Sequence, residues 1–367
     1  MQLSRRKFLS SWTGMLAGSA LFSGGAQALE LGGPVDLKSF SSSLRRKDLN
    51  SNKELKRFCF GSCNSHKKDQ PMWRHIARAR PDLFVSLGDM IYADTQDINV
   101  IREKYLLQLS KRDYREIVEN IPMIATWDDH DYGDNNADKH YPLRWESREA
   151  FFDFIGEDQK SSRRSRDGIY TSYDLGPEGR KVKFIMFDCR FNRDSRDEAD
   201  PDMLGERQWR WFENEMRNST AQVHFFGCST SMISTNLSTT EDWADFPSSY
   251  KRFFKIIERY DIAAPFFLSG DKHFAGFFEK QEGNMGVTYH EMMSSGLTHS
   301  VPAVYAPVVS HYYGKANTYT DLNFGDVILD WEGFTPRLLC RVRGADGLVK
   351  IQRLYEIDQV SKKWVWI

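Results

Sequence analysis

The chain has few cysteines, almost no net charge and no apolar run long enough to cross a bilayer. Five cysteines among 367 residues is a sparse and odd number, which excludes a disulfide-stapled scaffold. Lys and Arg number 50 against 51 Asp and Glu, a formal net charge of -1, so there is no bulk basic field of the kind that holds nucleic acid or an anionic membrane. Internal repeats, low-complexity blocks and a dividing linker are also missing. What remains is an ordinary globular balance, 40% apolar and 28% charged, with ample material for a core. At about 100–200 residues per domain the length allows one large domain or two small ones. Without a linker, the reading is one α/β domain closed by an antiparallel tail.

The near-zero charge hides an asymmetry at the start. Ser4-Arg5-Arg6-Lys7-Phe8-Leu9 is followed by an apolar and small-residue run from Trp12 to Phe22, then by Ala26-Gln27-Ala28. A basic n-region, a short h-region and an A-x-A site are the parts of a secretory signal. The h-region falls short of the ~20 apolar residues of a membrane span, so no stable membrane anchor is expected, and the paired arginines resemble a twin-arginine export signal. The expected organisation is a signal peptide over 1–28, a polar exposed lead-in over 29–56 and a catalytic domain over 57–367. The expected partner is the twin-arginine machinery, and the expected location is periplasmic or extracellular. Arg5, Arg6 and Lys7 are the charges before Ala28, so cleavage there takes the net charge from -1 to -1 - 3 = -4. No Cys follows the cleavage site, which argues against a lipoprotein.

Beyond residue 56, apolar strand-like runs alternate with helical periodicity. Strands are expected near 57–60, 82–87, 122–127, 181–187, 222–227 and 264–268. Helices are expected over 73–80, 98–119, 145–155, 204–216 and 248–260. Three further strands are expected at 326–331, 337–342 and 348–356. Four of the early strands end in residues able to bind metal: Cys63 after Gly61-Ser62, Asp89 and Tyr92 in Gly88-Asp89-Met90-Ile91-Tyr92, the segment Asp128 to Asn136, and Asp271 with His273 in Gly270-Asp271-Lys272-His273. Open α/β sheets gather ligands at the carboxyl ends of their strands. One Gly-Asp after a strand is common turn chemistry, but four in one chain point to a site.

The ligand types narrow the metal. Carboxylates and the amides of Asn135 and Asn136 suit hard ions such as calcium, magnesium or manganese. Cys63 and His273 suit a softer or transition ion, and a Tyr92 phenolate suits ferric iron. Two ions about 3.5–4 Å apart, bridged by Asp89, fit displacement at phosphorus, with hydroxide generated near neutral pH. His130 is placed to protonate the leaving alkoxide as general acid.

Taken together, Phe60-Gly61-Ser62-Cys63, Gly88 to Asp94, Thr126-Trp127-Asp128-Asp129-His130-Asp131-Tyr132-Gly133, Leu204-Gly205-Glu206-Arg207-Gln208-Trp209, Ser269 to Phe274 and Ser294 to Ser300 resemble the PhoD-like alkaline phosphatase and phosphodiesterase family, within the calcineurin-like metallophosphoesterases. The likeness runs in order from about residue 57 to the tail. It implies a four-layer α/β/β/α sandwich with antiparallel C-terminal strands, export through the twin-arginine route, hydrolysis of small phosphomonoesters or phosphodiesters, and ferric iron with calcium rather than zinc. By this resemblance Cys63, Tyr92 and His273 hold iron, Asp89 bridges iron and calcium, and Asp271 holds calcium with an Asn of the Asp134-Asn135-Asn136 run, either Asn135, which has the better spacing, or Asn136. Asp129 joins as a further metal ligand, His130 is the catalytic histidine, and Arg190 in Asp188-Cys189-Arg190 either clamps phosphate or pairs with Asp188 to brace its loop.

Two departures from the broader superfamily stand out. Gly-Ser-Cys replaces an Asp-x-His at the first strand, and Gly227-Cys228-Ser229-Thr230 replaces a lone His, so dinuclear zinc or manganese chemistry is not assumed; residue types alone leave zinc, manganese or magnesium open. The residues before the core leave no room for the immunoglobulin-like domain that some family members carry. Competing readings are a non-enzymatic envelope protein that binds metal or phosphoesters, and a phospholipase-type specialisation of the same site. Cys59, Cys189, Cys228 and Cys340 read as small core residues. His299 is left open between packing and the site, and Trp243 and His311-Tyr312-Tyr313 read as loop aromatics that either pack or line a substrate mouth.

Overall fold

Alternation along the strands sorts their side chains to two faces, and both faces are apolar. In the strand Arg57–Gly61, Phe58 and Phe60 enter one buried cluster and Cys59 another, as the period of two requires. The computed structural model describes residues 36–233, 241–282, 286–333, 335–359 and 361–367; the expected signal peptide lies outside the described residues. In chain order the strands are β1 (Arg57–Gly61), β2 (Leu83–Leu87), β3 (Met123–Thr126), β4 (Thr171–Leu175), β5 (Val182–Met186), β6 (Val223–Gly227), β7 (Pro265–Ser269), β8 (Ala275–Glu282), β9 (Val287–Ser294), β10 (Thr318–Tyr319), β11 (Asn323–Asp330), β12 (Arg337–Gly344), β13 (Val349–Ile357) and β14 (Trp364–Trp366).

They form two seven-stranded mixed sheets, ordered β14-β13-β12-β11-β1-β2-β3 and β10-β8-β9-β7-β6-β5-β4. In the first, β1, β2 and β3 are parallel, and β11 joins β1 antiparallel with Arg57 opposite Ile328. In the second, β5, β6, β7 and β9 are parallel. Side chains from both sheets, among them Phe58, Val85, Phe184, Phe225, Phe266 and Leu338, make one shared core. The outward face of the first sheet packs on helices through Trp73, Phe84, Tyr105 and Phe151. The outward face of the second packs through Phe226, Phe267, Trp209 and Phe253. Two large mixed sheets with helices packed on them give the expected α/β class, and β11 to β14 form the expected antiparallel tail.

Several local expectations change. The helix expected over 98–119 is two helices, Ile98–Ser110 and Arg112–Asn120, because Lys111 turns extended between them. The lead-in contains the helix Leu37–Ser43, capped by the Asp36 side chain accepting from the Ser39 N–H. Most of the lead-in is exposed, as expected, but Leu37 is buried and Arg46 donates to the Phe154 carbonyl at 2.6 Å, which ties it to the core. His311-Tyr312-Tyr313 ends a helix, Ala306–Tyr313, rather than lying in a loop. Trp243 is fully buried against Phe253 and Trp209 and lines no mouth. No described helix is long and apolar enough to cross a membrane.

Candidate active site

The carboxyl ends of the parallel strands of both sheets meet at one edge. Cys63 follows β1, Asp89 follows β2, and Asp128 to Asp131 follow β3 in the first sheet. Asp188 to Arg190 follow β5, Ser229 follows β6, and Asp271 to His273 follow β7 in the second. Contacts cross between them: Cys63 Sγ lies 3.6 Å from the Asp271 carbonyl oxygen, and the Asp271 N–H points to Ser62 Oγ at 3.4 Å.

The backbone at these ends is contorted. Cys63, Asp89, Asp271 and His273 all have left-handed φ, at 59°, 53°, 75° and 59°. Each such residue costs about 1–3 kcal/mol, a strain that concentrates at functional sites. Gly88, just before Asp89, has φ 97°, and a Cβ there would sit 2.6 Å from the Asp128 backbone nitrogen. Only glycine lets the two strand ends approach so closely.

This packing gathers like charges. Ligand atoms of Asp89, Asp129 and His130 lie within 4.8 Å of one another. Asp89 Oδ1 and Asp129 Oδ1 are buried and accept no hydrogen bond. Burial pushes the Asp89 carboxyl well above the usual carboxylate range, against the pull of His130, and Asp129, Asp128 and Asp131 push it further. Asp271 is raised by burial and then by Asp128 and Asp129. Burial would also raise Asp129, but Arg190, His130 and the Asn136 N–H at 2.7 Å more than reverse it. Burial, with Asp89 beside it, keeps the Cys63 thiol protonated in the absence of a cation. Buried acids with orphaned oxygens beside a thiol, a phenol and an imidazole are donors that could hold a cation.

Tyr92 and the histidines form one wall. The Tyr92 hydroxyl is 3.2 Å from His273 Nε2, and its ring packs on His130 at 4.2 Å and on His299 at 4.5 Å. His299 stacks on His273 at 4.8 Å and places Nδ1 3.2 Å from the Cys63 carbonyl oxygen, so it stands in this wall. His130 Nδ1 is 2.6 Å from Asp94 Oδ1, which leaves Nε2 for other chemistry. Burial opposes a charge on His130, but Asp129, Asp89 and Asp94 outweigh it and push the imidazolium pKa up to about 11.

Two expected residues stand elsewhere than their roles suggested. Asn135 is exposed on the turn after the short helix Asp129–Tyr132, and it is the backbone of Asn136 that reaches Asp129. Arg190 is fully buried. Its Nε donates to Asp128 Oδ1 at 2.6 Å, Nη1 donates to Glu241 Oε2, and Nη2 is 3.8 Å from Asp129 Oδ1. Asp188 is not its ion-pair partner: it accepts the Arg190 and Phe191 N–H groups and the Trp127 indole. Three supporting residues escaped sequence reasoning. Asp131 ties the β2 and β3 loops together by accepting from Met90 and Ile91, Asp94 holds His130, and Glu241 holds Arg190. The acid run after Trp127 was a signal for Asp131; nothing local marked Glu241.

With the fold and the strand-end site described, the chain can be placed in a family: the model of the PhoD-like phosphatase family matches residues 58–324, and the chain belongs to that family. Alkaline phosphatase D of Bacillus subtilis (strain 168) is 23% identical over 269 residues, which cover 59% of this chain and 45% of that protein. The chain therefore spans less than half the length of this curated relative. A solved structure described as "Structure of PhoD" superposes with a TM-score of 0.67 over 88% of this chain and 73% of its own, at 15% identity, and shares the fold.

Proposed function

We propose that the protein is an exported, metal-dependent hydrolase of small phosphate esters, working at the strand edge that carries Asp89. The observation that carries this reading is the convergence of buried acids with unpartnered oxygens on Cys63, Tyr92 and His273. The donors fit two kinds of ion. Cys63, Tyr92 and His273 would hold iron, Asp271 and Asp129 would hold calcium, and Asp89 would serve both. Bound cations supply Lewis acidity toward phosphoryl oxygens and lower the pKa of water toward neutrality.

This chain's own residues do the rest. His130, charged and oriented through Nδ1 by Asp94, donates a proton from Nε2 to the leaving oxygen. Arg190 acts as a positioning residue, holding Asp128 and Asp129 rather than clamping phosphate, because its guanidinium is buried among acids. The wall of Tyr92, His273 and His299 limits how a substrate approaches. Export rests on the twin-arginine resemblance in residues 1–28.

Elemental analysis of the protein from a host that exports it, together with a panel of mono- and diesters, tests the proposal. Phosphate release that disappears with chelator and with Asp89→Ala supports it. Metal in the protein with no turnover on any ester supports the binding-protein reading instead.

A further inference from the structure

The helix Ala306–Tyr313 breaks the rule for surface helices. Such a helix buries one apolar stripe and shows a polar face to water. Here Val309 and Tyr313 are buried against Phe274, Met293 and Val301, with Tyr305 packed beside them. The other side carries Val308, His311 and Tyr312, and no Asp, Glu, Lys or Arg occurs anywhere in the helix. Val304 is 74% exposed and Tyr312 45% exposed. Pro302, Ala303 and Pro307 are exposed as well. In a chain that is 28% charged, no acid occurs between Glu291 and Asp321, where Lys315 is the sole Lys or Arg.

This surface adjoins the site. His299, three residues before Pro302, stands in the imidazole wall. Phe274, the neighbour of His273, packs on Tyr313 at 5.3 Å. Lys68 donates to the Thr298 carbonyl at 3.2 Å, which sets an ammonium between the strand-end site and the apolar segment. Lys67 is exposed beside it and Lys315 lies past the helix, while the nearest acids in sequence, Asp69 and Asp321, flank the patch. Exposed Val, Pro and Tyr on a segment without acids, beside three lysines against the two flanking acids Asp69 and Asp321, have the make-up of a surface that settles into the headgroup boundary of an anionic bilayer. Tyrosine suits that depth because one end is apolar and the other wet.

We propose that the segment Pro302–Tyr312, with Lys67, Lys68 and Lys315 around it, docks the protein on an anionic lipid surface and so presents lipid-borne phosphate esters to the strand-end site. The second half rests on the hydrolase reading above; the docking does not. The test is co-sedimentation of the full chain with vesicles of phosphatidylglycerol and phosphatidylcholine, against phosphatidylcholine alone. A soluble nitrophenyl phosphate ester is assayed in parallel. Val304→Asp with Tyr312→Asp is expected to weaken vesicle binding by at least about tenfold. Lys315→Glu is expected to weaken binding about fivefold, and only on the anionic vesicles. Turnover of the soluble ester stays within twofold for both variants. Equal sedimentation of wild type and the double variant overturns the proposal, as does a wild type that ignores both vesicles. A dimer that the double variant converts to monomer, without vesicle binding, assigns the patch to a second copy and also overturns it. If vesicle binding responds as expected while no variant cleaves any ester, docking stands and the hydrolase reading falls.

Discussion

At Asp326 one buried carboxylate meets three arginines; at the strand ends around Asp89, a crowd of carboxylates meets one. Asp326 is completely buried on β11, and it accepts from Arg57 at 2.7 and 2.9 Å and from Arg343 at 2.6 Å, with Arg341 at 2.8 Å. Burial alone would raise its pKa, but the bonds from Arg57 and Arg343 hold it below the ordinary value. Around Asp89 the sign is reversed: the carboxyls of Asp89 and Asp271 are pushed up, and Asp89 Oδ1, Asp128 Oδ2 and Asp129 Oδ1 accept no hydrogen bond. Both clusters are buried acid, and the protein treats them oppositely. The first is complete within the chain and ties β11 to β1. The second carries more buried acid than the chain's own cations offset.

The sharpest way to break this comparison is to remove one acid from each cluster. Asp89→Ala is expected to lower phosphate release by about 10³-fold or more, while the melting temperature in chelator holds or rises, since a source of repulsion is gone. Asp326→Asn is expected to cost about 3 kcal/mol of stability in urea titrations, because three arginines lose their partner, with turnover per folded molecule unchanged. A drop in stability from Asp89→Ala as large as that from Asp326→Asn would erase the distinction.

A third buried group calibrates the scale. His224 on β6 sits between the Ala263 carbonyl at 2.7 Å and Ser219 Oγ at 2.7 Å. Burial depresses its pKa from 6.5 to about 4. The unfolded chain then binds the extra proton between those values, so the contribution is full above pH 6.5 and is lost as pH falls to about 4. The loss is roughly 3 kcal/mol. Urea titrations from pH 7 to pH 4 on wild type and His224→Gln check this, and the variant's curve is expected to be flatter. The smallest effect concerns Asp94→Asn, which frees His130 Nδ1. It is expected to lower kcat about tenfold and move the alkaline limb of the pH profile down, a shift that a merely structural Asp94 would not produce.

Much of the fold was legible because strands buried on both faces read as short apolar runs, and the parallel ones end in Gly and Asp. The clustering of the candidate site was legible for the same reason: Cys63, Asp89, Asp129, His130, Asp271 and His273 all follow such runs directly. Residues whose roles depend on distant partners were not. Arg190 finds Glu241 51 residues away, so its choice between substrate and scaffold had no local trace. Adjacent asparagines share one sequence signal, yet the turn exposes the Asn135 side chain and turns the Asn136 N–H inward. The helix Ala306–Tyr313 lacked the periodic contrast that marks a helix, because it is apolar on both sides. Strand β8 was missed since only its first half is buried.

The pairing of β1 with β11 sets a schedule for folding. Arg57 and Asp326 are 269 residues apart, and the first sheet cannot seat β1 between two neighbours until β11 exists. Contacts of such long range are slow to close and leave strand edges bare while they wait. A nascent chain that has made every strand end of the site still lacks the strand that fixes β1 and Cys63. Products cut short before β11 are therefore expected to collect as soluble or aggregated fragments that never complete the strand-end site.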